Sequence, residues 1–180
     1  MKNKQDFILQ ASYVGAWIIF IGLSIEAGAI LFNFIYTLFN PIAAQNIYNG
    51  LNLSSLYHTA FGHYVAVMSF AVLIAIMKAY LFFLVIWVFM KLNLVQPFST
   101  DIAALISKMS TEALSIAAIS FVARQYAKRL LQKGLDLDIV GKYWADAGTL
   151  VFLMMAAILY IIAQIFYKGI ALQKENDLTV

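Results

Sequence analysis

Between Ala147 and Tyr167 the chain carries no Lys, Arg, Asp or Glu, and nearly every side chain there is apolar. A bilayer core is crossed by about 20 such residues in a helix. Hydrocarbon offers no hydrogen-bond partners, so a segment inside it must satisfy its own backbone N–H and C=O groups. That requirement leaves a helix as the form this stretch takes. Three other stretches repeat the pattern, and the four expected spans cover about residues 11–38, 63–92, 102–125 and 147–170. The expected fold is all-α, an integral membrane four-helix bundle forming a single transmembrane domain over 1–180. Residues 171–180 follow it as a short polar tail.

Composition supports a membrane protein. Charged residues make up 12% of the chain and apolar ones 63%, where soluble domains average roughly 25% and 45–50%. Cys is absent, which removes disulfides, thiolate metal sites and thiol catalysis. A net charge of +3 is too small and too scattered for direct nucleic-acid binding. Lys2 and Lys4 precede the first apolar run as in a signal peptide, but a signal core is only about 7–15 residues long, and this run is far longer.

Residues 39–62 hold the breakers Asn40-Pro41, Asn49-Gly50 and Ser54-Ser55 and no charged side chain. A charge-free loop is easily translocated. The third span is the least apolar. At 100° per residue Asp101, Lys108, Glu112 and Ser115 share one narrow stripe, which suits the interior of a bundle. Ser99 or Thr100 is a fitting N-cap for this helix. Arg124, Lys128, Arg129, Lys133 and then Gly134 resemble its C-terminus.

An even number of spans puts both termini on one side. The positive charges tie: Lys2, Lys4, Lys91, Lys168 and Lys174 on the terminal side, Arg124, Lys128, Arg129, Lys133 and Lys142 on the other. Lys2 and Lys4, facing a charge-free first loop, tip the expectation toward cytoplasmic termini. Tyr13, Trp17, Trp87 and Tyr167 then mark one interface, and Tyr36, Tyr64, Tyr126, Tyr143 and Trp144 the other. The rival is three spans, with residues 100–133 lying as an amphipathic helix on the membrane surface.

Glu26 and Lys78 are the most informative residues. A charge at mid-bilayer costs about 2.5–3.5 kcal/mol on insertion scales. Both lie near the middles of their spans, so antiparallel packing brings them to within about 3 Å in height. Ser24 and Gly28 form a small-residue pair beside Glu26 that invites a neighbouring helix. A Glu26–Lys78 ion pair follows as the expectation, and Lys108 with Glu112 can extend it to a four-charge network. Its structural role is to fix helix register; its functional alternative is a proton or ion pathway or a polar pocket.

Other candidates are weaker. His58 and His63 are five apart, off the spacing of a helical metal pair, and no metal or other cofactor is expected. Hydrolase, nucleotide-binding and zinc-protease motifs are absent. Ser69, Ser110, Ser115 and Ser120 fit hydrogen bonds to neighbouring helices better than nucleophilic roles.

The tail residues Glu175, Asn176, Asp177, Leu178, Thr179 and Val180 do not serve the bilayer and read as a docking element. The stretch GIALQKENDLTV, following an aromatic and cationic span end, resembles the C-terminal signature of a bacterial membrane family, domain of unknown function 2975. Pro97-Phe98-Ser99 is similar to that family's short inter-helix segment, and the four-span layout matches its size. The resemblance implies a protein without enzymatic activity and, through neighbouring genes, a small cytoplasmic helix-turn-helix partner. The resulting expectation is a membrane sensor or anchor for such a regulator. The alternative is an oligomeric transporter or channel subunit using Glu26 and Lys78, which needs a homo-oligomer. A third reading is a lipid- or quinone-directed enzyme using Glu26, His58 or Glu112.

Overall fold

The computed structural model describes residues 2–92, 98–135 and 146–177. Helix α1 covers Lys2–Phe39, a short α2 covers Ser54–Thr59, and α3 covers Phe61–Lys91. Helix α4 covers Thr100–Gln132 and α5 covers Asp146–Asp177. Four of them hold segments long and apolar enough to cross a membrane: Phe7–Phe39, Phe61–Lys91, Thr100–Gln132 and Gly148–Glu175. The chain is a multi-pass, all-α membrane protein built as a four-helix bundle.

Local chemistry sets the helix ends. Asn40 precedes a proline, which disfavours helical backbone; it is extended at φ −133°, ψ 94°, and α1 stops there. Ser99 caps α4 by accepting a hydrogen bond from the Ile102 N–H at 3.3 Å. At the other end of α4, Gly134 adopts φ +80°, a left-handed conformation that glycine takes without a Cβ penalty. The Gly134 N–H then donates to the Leu131 carbonyl, and the Leu135 N–H to the Leu130 carbonyl. Those bonds satisfy two carbonyls the helix end would otherwise leave open.

Helix α3 packs on both α1 and α4, and α4 packs on α5. The two middle helices, α3 and α4, are the most buried, while α1 and α5 flank them with largely open surfaces. Helix α4 packs between α3 and α5 as one of the four span-length helices of the bundle. Its contact face is made of Ile102, Ala103, Ile106, Ser110, Ala113, Ile116 and Ala117. Small residues on that face admit α5 closely enough for the Ser110 hydroxyl to donate to the Ala156 carbonyl at 2.9 Å.

Two expectations are corrected here. The polar stripe of α4 does not face the bundle interior: Asp101 and Lys108 are exposed, and Glu112 and Ser115 are half-buried. The small-residue face won the interior because it permits closer backbone packing with α5. Nor do Ser24 and Gly28 receive a helix. A methyl group built at Gly22 or Gly28 would meet nothing within 4 Å, and the Ser24 hydroxyl donates to the Phe20 carbonyl of its own helix. Helix α1 packs instead through Ala16, Ala27 and Ile30.

Residues 39–62 do not form an open loop. Two 3-10 turns, Pro41–Gln45 and Tyr48–Gly50, and α2 fold back over the ends of α1 and α3. Asn49-Gly50 makes the turn it signals, with Gly50 at φ +73° and Ile47 bridged to Leu51. Ala44, Ile47, Leu51, Leu53 and Leu56 are each at most 3% exposed, so this cap is part of the core. Tyr64, fully buried, anchors it. Its hydroxyl bonds to Thr37 Oγ1 at 2.5 Å, and Thr37 in turn donates to the Phe34 carbonyl. The Tyr57 ring meets the Tyr64 ring edge-on at 4.9 Å.

Candidate functional site

Glu26 on α1 and Lys78 on α3 line one cavity of about 40 Å³, together with Ala75, Ser120 of α4, and Thr149 and Phe152 of α5. All four spanning helices contribute to it. Helices α1 and α5 do not pack closely on one another, and the cavity occupies the space between them.

The two charges share this space without touching. Among the described residues the ion pair within 4.0 Å is Lys91–Asp101, at 2.7 Å, so the direct Glu26–Lys78 contact expected from the sequence is not formed. The Lys78 ammonium lies instead toward α5, 6.0 Å from the centre of the Phe152 ring. That ring face is attractive to a cation. A cavity needs about 10–15 Å³ to hold a water molecule, so this one is large enough for water. The hydroxyls of Ser120 and Thr149 on its wall can serve such waters.

The four-charge network is not assembled. Neither Lys108 nor Glu112 lines the cavity. Lys108 lies over the Tyr80 ring, 5.3 Å from its centre. Ser115 donates to Thr111 on its own helix at 2.9 Å, and Ser69 is exposed. Sequence reasoning missed Thr149 and Phe152 as site residues. Their apolar or weakly polar character within a long span gives no signal until α5 is placed against α3.

His58 is exposed, and His63 Nδ1 pairs with the Tyr126 hydroxyl at 2.7 Å. That bond ties the start of α3 to the last turns of α4. Among the described residues no three His, Asp or Glu side chains come together to hold a metal.

A second polar region lies at the end of the bundle that carries both termini. Lys91 and Asp101 pair there across the α3–α4 turn, both well exposed, which limits the bond to about 1 kcal/mol or less. Phe98 packs edge-on against Phe166 at 5.4 Å. Its ring also sits on Gly169, where an added Cβ would come within 2.7 Å. Gly169→Val therefore expels Phe98 from this seat and loosens the α4 start from α5. Fluorine NMR of a labelled Phe98 will show it: a sharpened, shifted resonance in the variant is expected, and an unchanged one contradicts the contact. A groove of about 540 Å³ opens beside this contact, lined by Phe98, Lys168, Leu172 and Gln173 among others.

Helix α5 continues past Lys168 to Asp177, so the first part of the tail is helical. Leu178, Thr179 and Val180 lie outside the described residues. No protein-family model, curated protein or solved structure matches the chain.

Proposed function

We propose that this chain is a membrane sensor or anchor without enzymatic activity. It would hold a small helix-turn-helix regulator at the cytoplasmic face of a bacterial inner membrane. The docking element is Glu175 to Val180 together with the neighbouring α3–α4 turn. One observation carries this reading: Phe98 packs on Gly169 and Phe166. That contact joins Pro97-Phe98-Ser99 to the start of the GIALQKENDLTV stretch, the two segments that resemble domain of unknown function 2975. Phe98 seated on α5 at Phe166 and Gly169 preorganises the base of such a surface, and preorganisation lowers the ordering cost of binding.

Deleting Glu175 to Val180 tests the reading. The expected result is loss of the regulator from affinity pull-downs out of the native host, with membrane insertion intact. Retention of the same protein by the truncated chain overturns it.

The Glu26–Lys78 cavity favours a second reading, an oligomeric transporter or channel subunit. At about 40 Å³ the cavity admits water, a proton or a small ion and excludes organic substrates. Proton flux into liposomes by the wild type, abolished by Glu26→Gln, is expected on this reading; absence of flux from both removes it.

A further inference from the structure

Helices α1, α3 and α5 turn large apolar side chains outward along their lengths, as lipid contact requires. Helix α4 does not. Between Asp101 and Ala118 it exposes Ala104, Lys108, Thr111 and Ala118, with Leu114 as the large apolar residue among them. Glu112 lies half-buried along the same stripe.

Depth makes this face costly. Lys108 and Glu112 stand eight and twelve residues beyond the start of α4 at Thr100, or about 12 and 18 Å along its axis. A lysine can reach several ångströms toward an interface, but a glutamate at that depth cannot. The two do not form a direct ion pair within the helix, since no contact joins them within 4.0 Å. Their order is also the less favourable one for an intrahelical pair, which prefers Glu ahead of Lys. The Tyr80 ring, 5.3 Å from the Lys108 ammonium, compensates that charge only in part, and hydrocarbon chains supply nothing to Glu112.

We propose that this stripe packs against the same stripe of a second copy of the chain, forming a twofold dimer across α4. A twofold axis parallel to the helices brings each residue to the depth of its counterpart. Lys108 of one protomer then reaches one turn along to the partner's Glu112, and the reverse contact forms as well. The stripe is thus complementary to itself: it carries one cation and one anion a turn apart, as an isologous interface requires. The short side chains of Ala104, Thr111 and Ala118 let the helices approach closely. The inference goes beyond the docking and transport readings and depends on neither.

The absence of Cys from the chain makes the test direct. Thr111→Cys in native membranes is expected to give a disulfide-linked dimer, whereas Met154→Cys on the lipid-facing side of α5 is not. Single-molecule photobleaching of the full chain in liposomes should show two-step loss for the wild type. Lys108→Glu alone and Glu112→Lys alone should each lower the dimer fraction by roughly tenfold, about 1.4 kcal/mol. Mixing those two variants should restore it, because the all-acidic stripe then meets the all-basic one. The mixture guards against a folding defect: a variant that cannot fold cannot be rescued. One-step bleaching of the wild type, equal cross-linking at Thr111→Cys and Met154→Cys, failure of the mixture to pair, or cross-linking of Thr111→Cys to a different protein overturns the proposal.

Discussion

Lys78→Met with Glu26 intact will destabilise the bundle by about 3 kcal/mol or more, and adding Glu26→Gln will return most of that loss. Removing one member of a charge pair leaves the other in a low-dielectric site with no compensation. Glu26 and Lys78 are half-buried on a cavity to which all four spanning helices contribute, so a stranded carboxylate loses the cation that shares its site. The two charges are not in direct contact, so the expected coupling acts across the cavity they share. Reversible unfolding in mixed micelles, run as a double-mutant cycle, measures it. Strictly additive losses would show that each charge is satisfied independently.

Tyr64→Ala will have a comparable effect, about 3–5 kcal/mol, while Tyr64→Phe will cost about 1 kcal/mol. The ring is fully buried and touches three other rings: Phe34, Tyr57 and Phe61. Truncation opens a cavity where α1, α3 and the cap meet, and Leu53 and Leu56 lose their support. The hydroxyl matters less, because Thr37 keeps its bond to the Phe34 carbonyl when Tyr64 is replaced by Phe. Unfolding in mixed micelles gives the magnitudes. Protease sensitivity confined to residues 39–62 in the Ala variant will locate the damage. Equal stability of the two variants would contradict a core role for the cap.

Features written in local chemistry were legible in the sequence. The apolar runs announce the spanning helices, because backbone satisfaction in hydrocarbon admits few alternatives. Asn40-Pro41, Asn49-Gly50, Ser99 and Gly134 mark ends and turns through rules that act within a few residues. Depth arithmetic placed Glu26 near the level of Lys78, and the structure sets both on one cavity.

What depended on three-dimensional choice was hidden. A helical wheel shows that Asp101, Lys108 and Glu112 share a stripe, but not whether the stripe turns in or out. In a membrane, shape can outweigh polarity, and the face that carries Ala103, Ser110, Ala113 and Ala117 is the one buried in the bundle. Leu51, Leu53 and Leu56 have no period to betray them, since they lie in short turns and a single short helix. The place of the Lys78 ammonium near the Phe152 ring of α5 depends on how α5 packs, which no spacing within α1 or α3 encodes.

The most direct measurement is the distance between the Glu26 side-chain carboxyl carbon and the Lys78 side-chain nitrogen. Dipolar-recoupling solid-state NMR on labelled protein in lipid bilayers provides it. A separation beyond direct contact but within the reach of a bridging water is the predicted result. A carboxyl carbon with no detectable coupling to that nitrogen, and with its nearest neighbours among lipid chains instead, would contradict a shared polar site at the heart of the bundle.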